Sequence, residues 1–391
     1  MRPPGADTVL VRHADVGVKS GKVQAQMERR LRDNIEALVD DRCIDATVER
    51  RWSRIFVHAD PESVDAATNA ATDAFGVQSA SPALVVPAEE DAIVEALART
   101  ARENREAVGD TFAVSARRAG TADAHPFTSK DLEEAGGAAV WGELPDPEVD
   151  LDDPDTTFSV ECRADEAFVF TENRPGPGGL PLGSQAKVVA LMSGGIDSPV
   201  AGWEVMKRGS PIVPVYLDLG DFGGPDHEAR AVETVRRLAD YAPNYDMRVR
   251  KVPAGDAMDL LAEAVGPARM LVYRRFMYRV AEHVAEAENA AGIVTGEAIG
   301  QKSSQTARNL GVTSMATDLP VYRPLLTMDK PDITELAREI GTYQDSTIPA
   351  GCNRIAPDFP ETNATPEIVD RAEPESLYER AREAAENLTL V

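Results

Sequence analysis

The stretch Lys187-Val188-Val189-Ala190-Leu191-Met192-Ser193-Gly194-Gly195-Ile196-Asp197-Ser198-Pro199 decides the fold. After Lys187 it is apolar through Met192, without the polar alternation of a half-solvated strand, so both strand faces are expected to be buried. Ser198 and Pro199 suit the N-cap and the first position of a helix. Between strand and helix, Gly194 and Gly195 let the backbone turn sharply and bring N–H groups against an anion, which the helix N-terminus also attracts. The expected result is a phosphate cradle at the carboxyl end of a strand, where open α/β sheets bind ligands. It is not a Walker loop, because no Gly-Lys-Ser/Thr follows, and it lacks the GxGxxG spacing. Asp197 is the odd member. A carboxylate beside phosphates repels them unless a cation such as Mg2+ lies between.

Downstream, strands and helices alternate. Pro211 to Leu217, Met247 to Val252, Ala291 to Thr295 and Pro320 to Leu325 read as strands. Pro199 to Arg208, His227 to Tyr241, Ala257 to Ala264, Met270 to Ala290 and Pro331 to Ile340 read as helices. This alternation predicts an α/β domain over residues 184–358 built on a doubly wound, mostly parallel sheet. Residues 359–391 read as an acidic C-terminal tail with one helix near Ser376 to Asn387. Upstream, Arg174-Pro175-Gly176-Pro177-Gly178-Gly179-Leu180-Pro181 excludes helix and central strand alike, which makes residues 174–183 a linker. Before it lie two α+β units. Residues 1–60 follow a β-α-β-β order, with strands at Thr8 to Arg12, Ala46 to Val48 and Ile55 to His58 around a helix from Val23 to Leu38. Residues 61–173 begin with a helix from Ser63 to Phe75 and continue with further helices and strands.

Composition narrows the class. The 391 residues are 43% hydrophobic and carry a formal charge of −25, which excludes general disorder. No uncharged apolar window approaches the ~18 residues of a membrane span, and Met1-Arg2-Pro3-Pro4 opens no export signal, so a cytoplasmic protein without membrane partners is expected. Arginines outnumber lysines 33 to 8. With the diffuse acidic excess, this reads as a surface adapted to a high-salt cytoplasm, as in halophilic archaea. Residues 1–60 escape the trend, with 11 basic against 10 acidic side chains, whereas residues 61–180 carry 8 against 25. A near-neutral segment in so acidic a chain suits a polyanion-facing surface or an ordinary solvated helix. The three cysteines, Cys43, Cys162 and Cys352, form neither a disulfide framework nor a zinc knuckle. Cys43 and Cys162 fall in expected core elements and read as structural.

Ser193 to Ser198 resembles the pyrophosphatase (PP) loop of adenylating enzymes that release pyrophosphate and leave AMP on an acceptor oxygen. Around it, Gly176 to Gly183, Met206 to Gly209, Arg274 to Arg279, Thr295 to Gln301, Ser304 to Thr306, Arg323 to Leu325 and Met328 to Lys330 together resemble the tRNA 4-thiouridine synthetase family. Val114 to Gly136, with Phe127-Thr128-Ser129, is similar to that family's THUMP domain, and residues 8–58 to its N-terminal ferredoxin-like domain. The resemblance implies a short archaeal form without a rhodanese domain.

The resemblance also implies roles. Ser193, Gly194, Gly195, Asp197 and Ser198 would hold the pyrophosphate of ATP, with Asp197 on Mg2+. The backbone of Leu191, Met192, Tyr216 and Leu217 would frame adenine and ribose. Arg274, Gly296 and Gln305 match the remaining ATP contacts, and Asp197 and Lys330 belong to the catalytic set. Cys352, in a Gly/Pro-rich loop beside Arg354, aligns with the sulfur-carrying cysteine. The implied reaction adenylates O4 of a tRNA uridine, at position 8, and then displaces AMP with sulfur to give 4-thiouridine. Implied partners are tRNA, a sulfur donor (a cysteine desulfurase, a persulfide carrier or free sulfide) and a second copy of the chain. Two departures stand out: no second cysteine lies near Cys352, and no rhodanese-like part follows. Two other classes fit parts of the pattern, a PP-loop adenylating enzyme delivering another nucleophile and a non-catalytic tRNA-binding THUMP protein.

Overall fold

A computed structural model describes residues 1–13, 21–52, 54–119, 124–223, 225–346 and 355–391, which form two compact units, Met1–Pro181 and Leu182–Val391. The first contains β1 (Thr8–His13), α1 (Gly21–Asp41), β2 (Ala46–Arg51), β3 (Arg54–Ala59), α2 (Val64–Thr72), β4 (Val77–Pro87), α3 (Glu90–Glu103), β5 (Thr111–Arg118), α4 (Ser129–Glu143), β6 (Glu148–Val149), β7 (Thr156–Cys162), β8 (Glu166–Phe170) and β9 (Arg174–Pro175). Its sheet runs β2-β3-β1-β4-β8-β7-β5-β6, with β9 added beside β4. Strand β4 is shared: Val77 to Ala83 pair antiparallel with β1, and Leu84 to Pro87 pair antiparallel with β8.

This sharing moves the boundary expected at residue 60. Val64, Ala67, Ala70 and Ala71 of α2 lie in one core with Leu31, Ile35 and Leu38 of α1. Helix α2 is the crossover that carries the chain from β3 to β4, so the first layer is a β-α-β-β-α-β unit that ends within β4. A second core, with Ile93, Leu97, Phe112, Leu132 and Phe158, lies under α3 and α4. Thr128 caps α4 with a reciprocal capping box to Asp131. Cys162 is buried as expected, but Cys43 is exposed, at a left-handed position (φ 52°) that ends α1.

The second unit contains β10 (Val188–Met192), α5 (Asp197–Lys207), β11 (Ile212–Asp218), α6 (Pro225–Ala239), β12 (Arg250–Pro253), α7 (Gly255–Ala264), α8 (Arg269–Glu288), β13 (Ile293–Val294), α9 (Ala307–Ser314), β14 (Val321–Tyr322), α10 (Lys330–Glu339), α11 (Pro366–Ala372), α12 (Leu377–Glu386) and β15 (Thr389–Leu390). The sheet order is β14-β13-β10-β11-β12-β15, parallel except for β15, which is antiparallel to β12. All five residues of β10 are buried, as its continuous apolar run requires. Strand β11 lies on one side of β10 and β13 on the other. The chain therefore reverses its winding at β10, and the crevice beyond its carboxyl end lies at the switch point of the sheet.

Residues 359–391 are not the detached acidic tail that their composition suggests. Val369 of α11, and Leu377, Ala381 and Ala385 of α12, enter the main core with Leu271, Phe276 and Val280 of α8. Asp370 of α11 and Glu373, its C-cap, pair with Arg275 of α8. Helix α11 buries only Val369, so its period is weak in the sequence, whereas α12 is the helix expected near Ser376 to Asn387.

Candidate active site

The loop between β10 and α5 is locked by its own side chains. Ser198 Oγ accepts the Ser193 N–H at 2.9 Å and donates to the Ser193 carbonyl at 3.1 Å. Ser198 therefore does not cap the helix as its position suggested: α5 begins at Asp197, and its N-cap, Ile196, makes no side-chain capping bond. The serine instead staples the two ends of the loop together. The first-turn amides of α5 have no intrahelical acceptor and carry the positive end of the helix dipole.

Three features fix what surrounds the loop. On one side, a Cβ at Gly194 would come within 3.1 Å of the His227 carbonyl in α6 and 3.3 Å of Arg230 Cβ. On the other, Lys330 Nζ, at the start of α10, lies 2.5 Å from Asp197 Oδ1. Asp197 and Lys330, far apart in sequence, thus meet at one point, and the ammonium neutralises the carboxylate in the cradle. From beneath, the segment after β13 closes in: a Cβ at Gly296 would stand 2.6 Å from the Asp197 carbonyl carbon and 2.8 Å from the Ser198 nitrogen. The glycine expected to let a nucleotide lie on its backbone is required first by the loop itself.

One residue further, Glu297 is buried at the centre of a polar cluster. Its Oε2 accepts from Tyr278 Oη, from Thr295 Oγ1 at 3.0 Å and from Arg323 Nε at 2.8 Å. Its Oε1 lies 2.6 Å from Arg274 Nε. Burial pushes the Glu297 carboxyl up, but Arg274 and Arg323 outweigh it and hold the pKa below the ordinary value. Burial likewise pushes the Tyr278 phenol up, and the neighbouring Glu297 adds to the shift. Arg274 was expected in the site; Glu297, Arg323 and Tyr278 were not given roles. Their motifs were visible, but without knowing that α8, β13 and the stretch after β14 converge, nothing in one sequence marks a buried Glu–Arg–Tyr cluster.

At the strand ends, Leu191, Met192, Tyr216 and Leu217 are all buried, and Met192 stands in register with Tyr216. Burial first, then Asp218, pushes the Tyr216 phenol up to about 12, so it stays neutral. Gln305 closes the turn after Gly300 through its backbone, accepting the Gly300 N–H at 2.9 Å, while its buried Oε1 has no hydrogen-bond partner among the described residues. An unpartnered buried amide oxygen costs about 1–3 kcal/mol unless a ligand donates to it. Cys352 and Arg354 lie outside the described residues. Among the described residues no group of three or more His, Cys, Asp or Glu could hold a metal ion.

Comparison with known proteins follows the same outline. The description "Thiamine biosynthesis protein (ThiI)" matches residues 183–377, the ThiI ferredoxin-like domain residues 8–81, and the THUMP domain residues 87–172. A probable tRNA sulfurtransferase of Halobacterium salinarum is 59% identical over 388 residues, covering 98% of this chain and 97% of the relative. The chain belongs to the tRNA sulfurtransferase (ThiI) family. A probable tRNA sulfurtransferase of Methanosarcina mazei is 38% identical, covering 98% of this chain and 96% of its own length. Among solved structures, a 4-thiouridine synthetase in complex with RNA and bound ATP aligns with a TM-score of 0.88 at 30% identity, covering 99% of both chains. The family's ferredoxin-like segment extends to residue 81, in agreement with α2 and β4 lying in the first layer. No helix among the described residues is long and apolar enough to cross a membrane.

Proposed function

We propose that this chain is an ATP-dependent tRNA sulfurtransferase that adenylates O4 of the uridine at position 8 and replaces that oxygen with sulfur. The observation that carries the reading is the stapled loop at the sheet's switch point, with Asp197 neutralised by Lys330, in a chain of this family. ATP lies with its triphosphate against the loop and the α5 N-terminus, and its adenosine along the ends of β10 and β11. Uridine O4 attacks the α-phosphate, and pyrophosphate leaves toward the loop amides, where fixed N–H dipoles stabilise its charge without reorganising. AMP is then a far better leaving group from C4 than oxide.

The residues fit Mg2+ as a companion of ATP. One carboxylate, Asp197, is offered, and this ion is commonly held by one or two carboxylates plus substrate phosphates. Bound there, it would supply charge neutralisation to the departing pyrophosphate, while Lys330 would turn from Asp197 to the phosphates. Cys352 carries, as a persulfide charged from outside the chain by a cysteine desulfurase or a persulfide carrier, the terminal sulfur that attacks C4 and displaces AMP. An external thiol then cleaves the resulting S–S bond and releases 4-thiouridine, whereas free sulfide would displace AMP directly without passing through Cys352. The active form is assigned as a cytoplasmic homodimer.

The test is nucleoside mass analysis of tRNA treated with the chain, ATP, a cysteine desulfurase with cysteine as persulfide source, and a reducing thiol. Loss of 4-thiouridine in Cys352→Ser with AMP release retained supports the assignment. Thiolation retained in Cys352→Ser removes the sulfur role from this residue, and ATP left intact in the presence of tRNA removes the adenylation step.

A further inference from the structure

The Glu297 cluster contains two guanidinium groups and one carboxylate, and the two arginines are not used alike. Arg323 gives Nε to Glu297 at 2.8 Å, and one terminal nitrogen serves both Tyr278 Oη at 3.0 Å and Ser314 Oγ at 2.8 Å. It is committed to the protein. Arg274 Nε stands 2.6 Å from Glu297 Oε1 as an ion pair without hydrogen-bond geometry, and one terminal nitrogen makes a long bond, 3.4 Å, to the Ser304 carbonyl. Its other terminal donors find no acceptor among the described residues. Both arginine side chains are only 12% exposed, and the glutamate side chain 6%. The cluster thus sets two cations against one carboxylate, with most of the Arg274 side chain shielded from solvent. It is also fixed to the loop, because Gly296, whose absent Cβ lets the backbone press on Asp197 and Ser198, is bonded directly to Glu297.

We infer that Glu297 is a positioning residue for ATP: it holds the Arg274 guanidinium from behind, so that the free terminal nitrogens meet the triphosphate. The inference rests on the reading of the loop as the ATP site. A guanidinium paired with a carboxylate on its Nε side keeps its terminal donors in the fork geometry that fits a phosphate. Arg323 acts from the other side, balancing Glu297 so that the carboxylate can serve Arg274 without being drawn away from it.

The test is a double-mutant cycle read by equilibrium ATP binding to the full chain in molar KCl, with thermal melting in parallel. Glu297→Asp keeps the charge, and so the fold, but is one methylene too short to serve both arginines. It is expected to weaken ATP binding about ten- to hundredfold, the loss that follows when a charge-assisted hydrogen bond is misplaced, with the melting temperature within a few degrees of the parent. Arg274→Ala is expected to weaken binding similarly. The double variant should bind no more weakly than Arg274→Ala alone, because Glu297 then has nothing to position. Losses that multiply in the double variant, or unchanged binding in Glu297→Asp, overturn the inference. Absence of ATP binding by the unmodified chain would instead overturn the assignment of the loop.

Discussion

Gly296 gives the sharpest test of how the site is built. In Gly296→Ala the new methyl would stand 2.6 Å from the Asp197 carbonyl carbon, 2.8 Å from its oxygen and 2.8 Å from the Ser198 nitrogen, all backbone atoms, whereas ordinary contact begins near 3.4 Å. Backbone cannot swing aside as the end of a side chain can, so the loop must retreat by about 0.8 Å. Overpacking of this kind costs about 1–3 kcal/mol. A misplacement near 1 Å at a reacting centre lowers the rate on the order of 100-fold. Both losses are expected, measured as thermal melting of the chain and as tRNA-dependent AMP release. The control is Gly311→Ala: Gly311 is exposed inside α9 with nothing within 4 Å of its Cβ. There alanine should add about 0.5–1 kcal/mol by helix propensity and leave activity alone. If Gly296→Ala melts like the parent and only its KM for ATP rises, the glycine serves the nucleotide directly, and the packing argument is wrong.

Lys330→Gln breaks an ion pair whose side chains are 48% and 30% exposed. Such a pair is worth about 0–1 kcal/mol, so melting should barely move while AMP release falls on the order of 100-fold; a large loss of stability with activity retained would make Lys330 a structural residue. A chain ending at residue 358 loses Val369 and Leu377 from the core, each worth about 1.5–3 kcal/mol when buried. Circular dichroism should show its C-terminal unit unfolded at temperatures where the full chain is folded. The third test uses pH. Because the folded-state pKa of Glu297 is depressed, its contribution to stability is complete above the unfolded value near 4.5 and is lost as pH falls through the folded value. Arg323→Met removes one of the charges that depress it, so acid unfolding, followed by Trp203 fluorescence, should begin at higher pH than in the parent. A midpoint that does not move would show that Arg323 contributes nothing to the carboxylate's state.

The parts of the fold legible in the sequence were those with a strong period or a strong breaker. Lys187 to Met192 could only be a buried strand, and Arg174 to Pro181 could only interrupt. Helix α2 was assigned to the wrong layer because nothing local tells a crossover helix which core it will join; that is decided by β4, whose eleven residues pair with strands on both sides. Helix α11 is hidden by charge, whereas α12 matches the helix expected near Ser376 to Asn387. In an acidic chain, outer faces crowded with Asp and Glu lower the mean hydropathy of a segment below what its few buried residues can signal. At the site, residue types were legible and their partners were not. Ser198 carried the N-cap signature, yet its hydroxyl turns back to Ser193, five residues away. Gly296 was legible as a close approach, but the backbone it approaches belongs to a loop about a hundred residues earlier.

The same geometry accounts for how a chain of net charge −25 can hold a triphosphate. Near 1 M salt the screening length is about 3 Å, so exposed lysines and arginines would attract phosphate weakly at any distance beyond contact. Buried charges are screened much less. Arg274, only 12% exposed and backed by Glu297, keeps its field in concentrated salt, and Lys330 cancels Asp197 at the 2.5 Å contact itself. The acidic surface and the anion site are therefore not in conflict. The first acts through solvent, where salt screens it, and Arg274 acts from a largely shielded position, where salt screens it much less. Raising KCl should accordingly stabilise the chain while changing its affinity for ATP far less than it would change that of a site built from exposed cations.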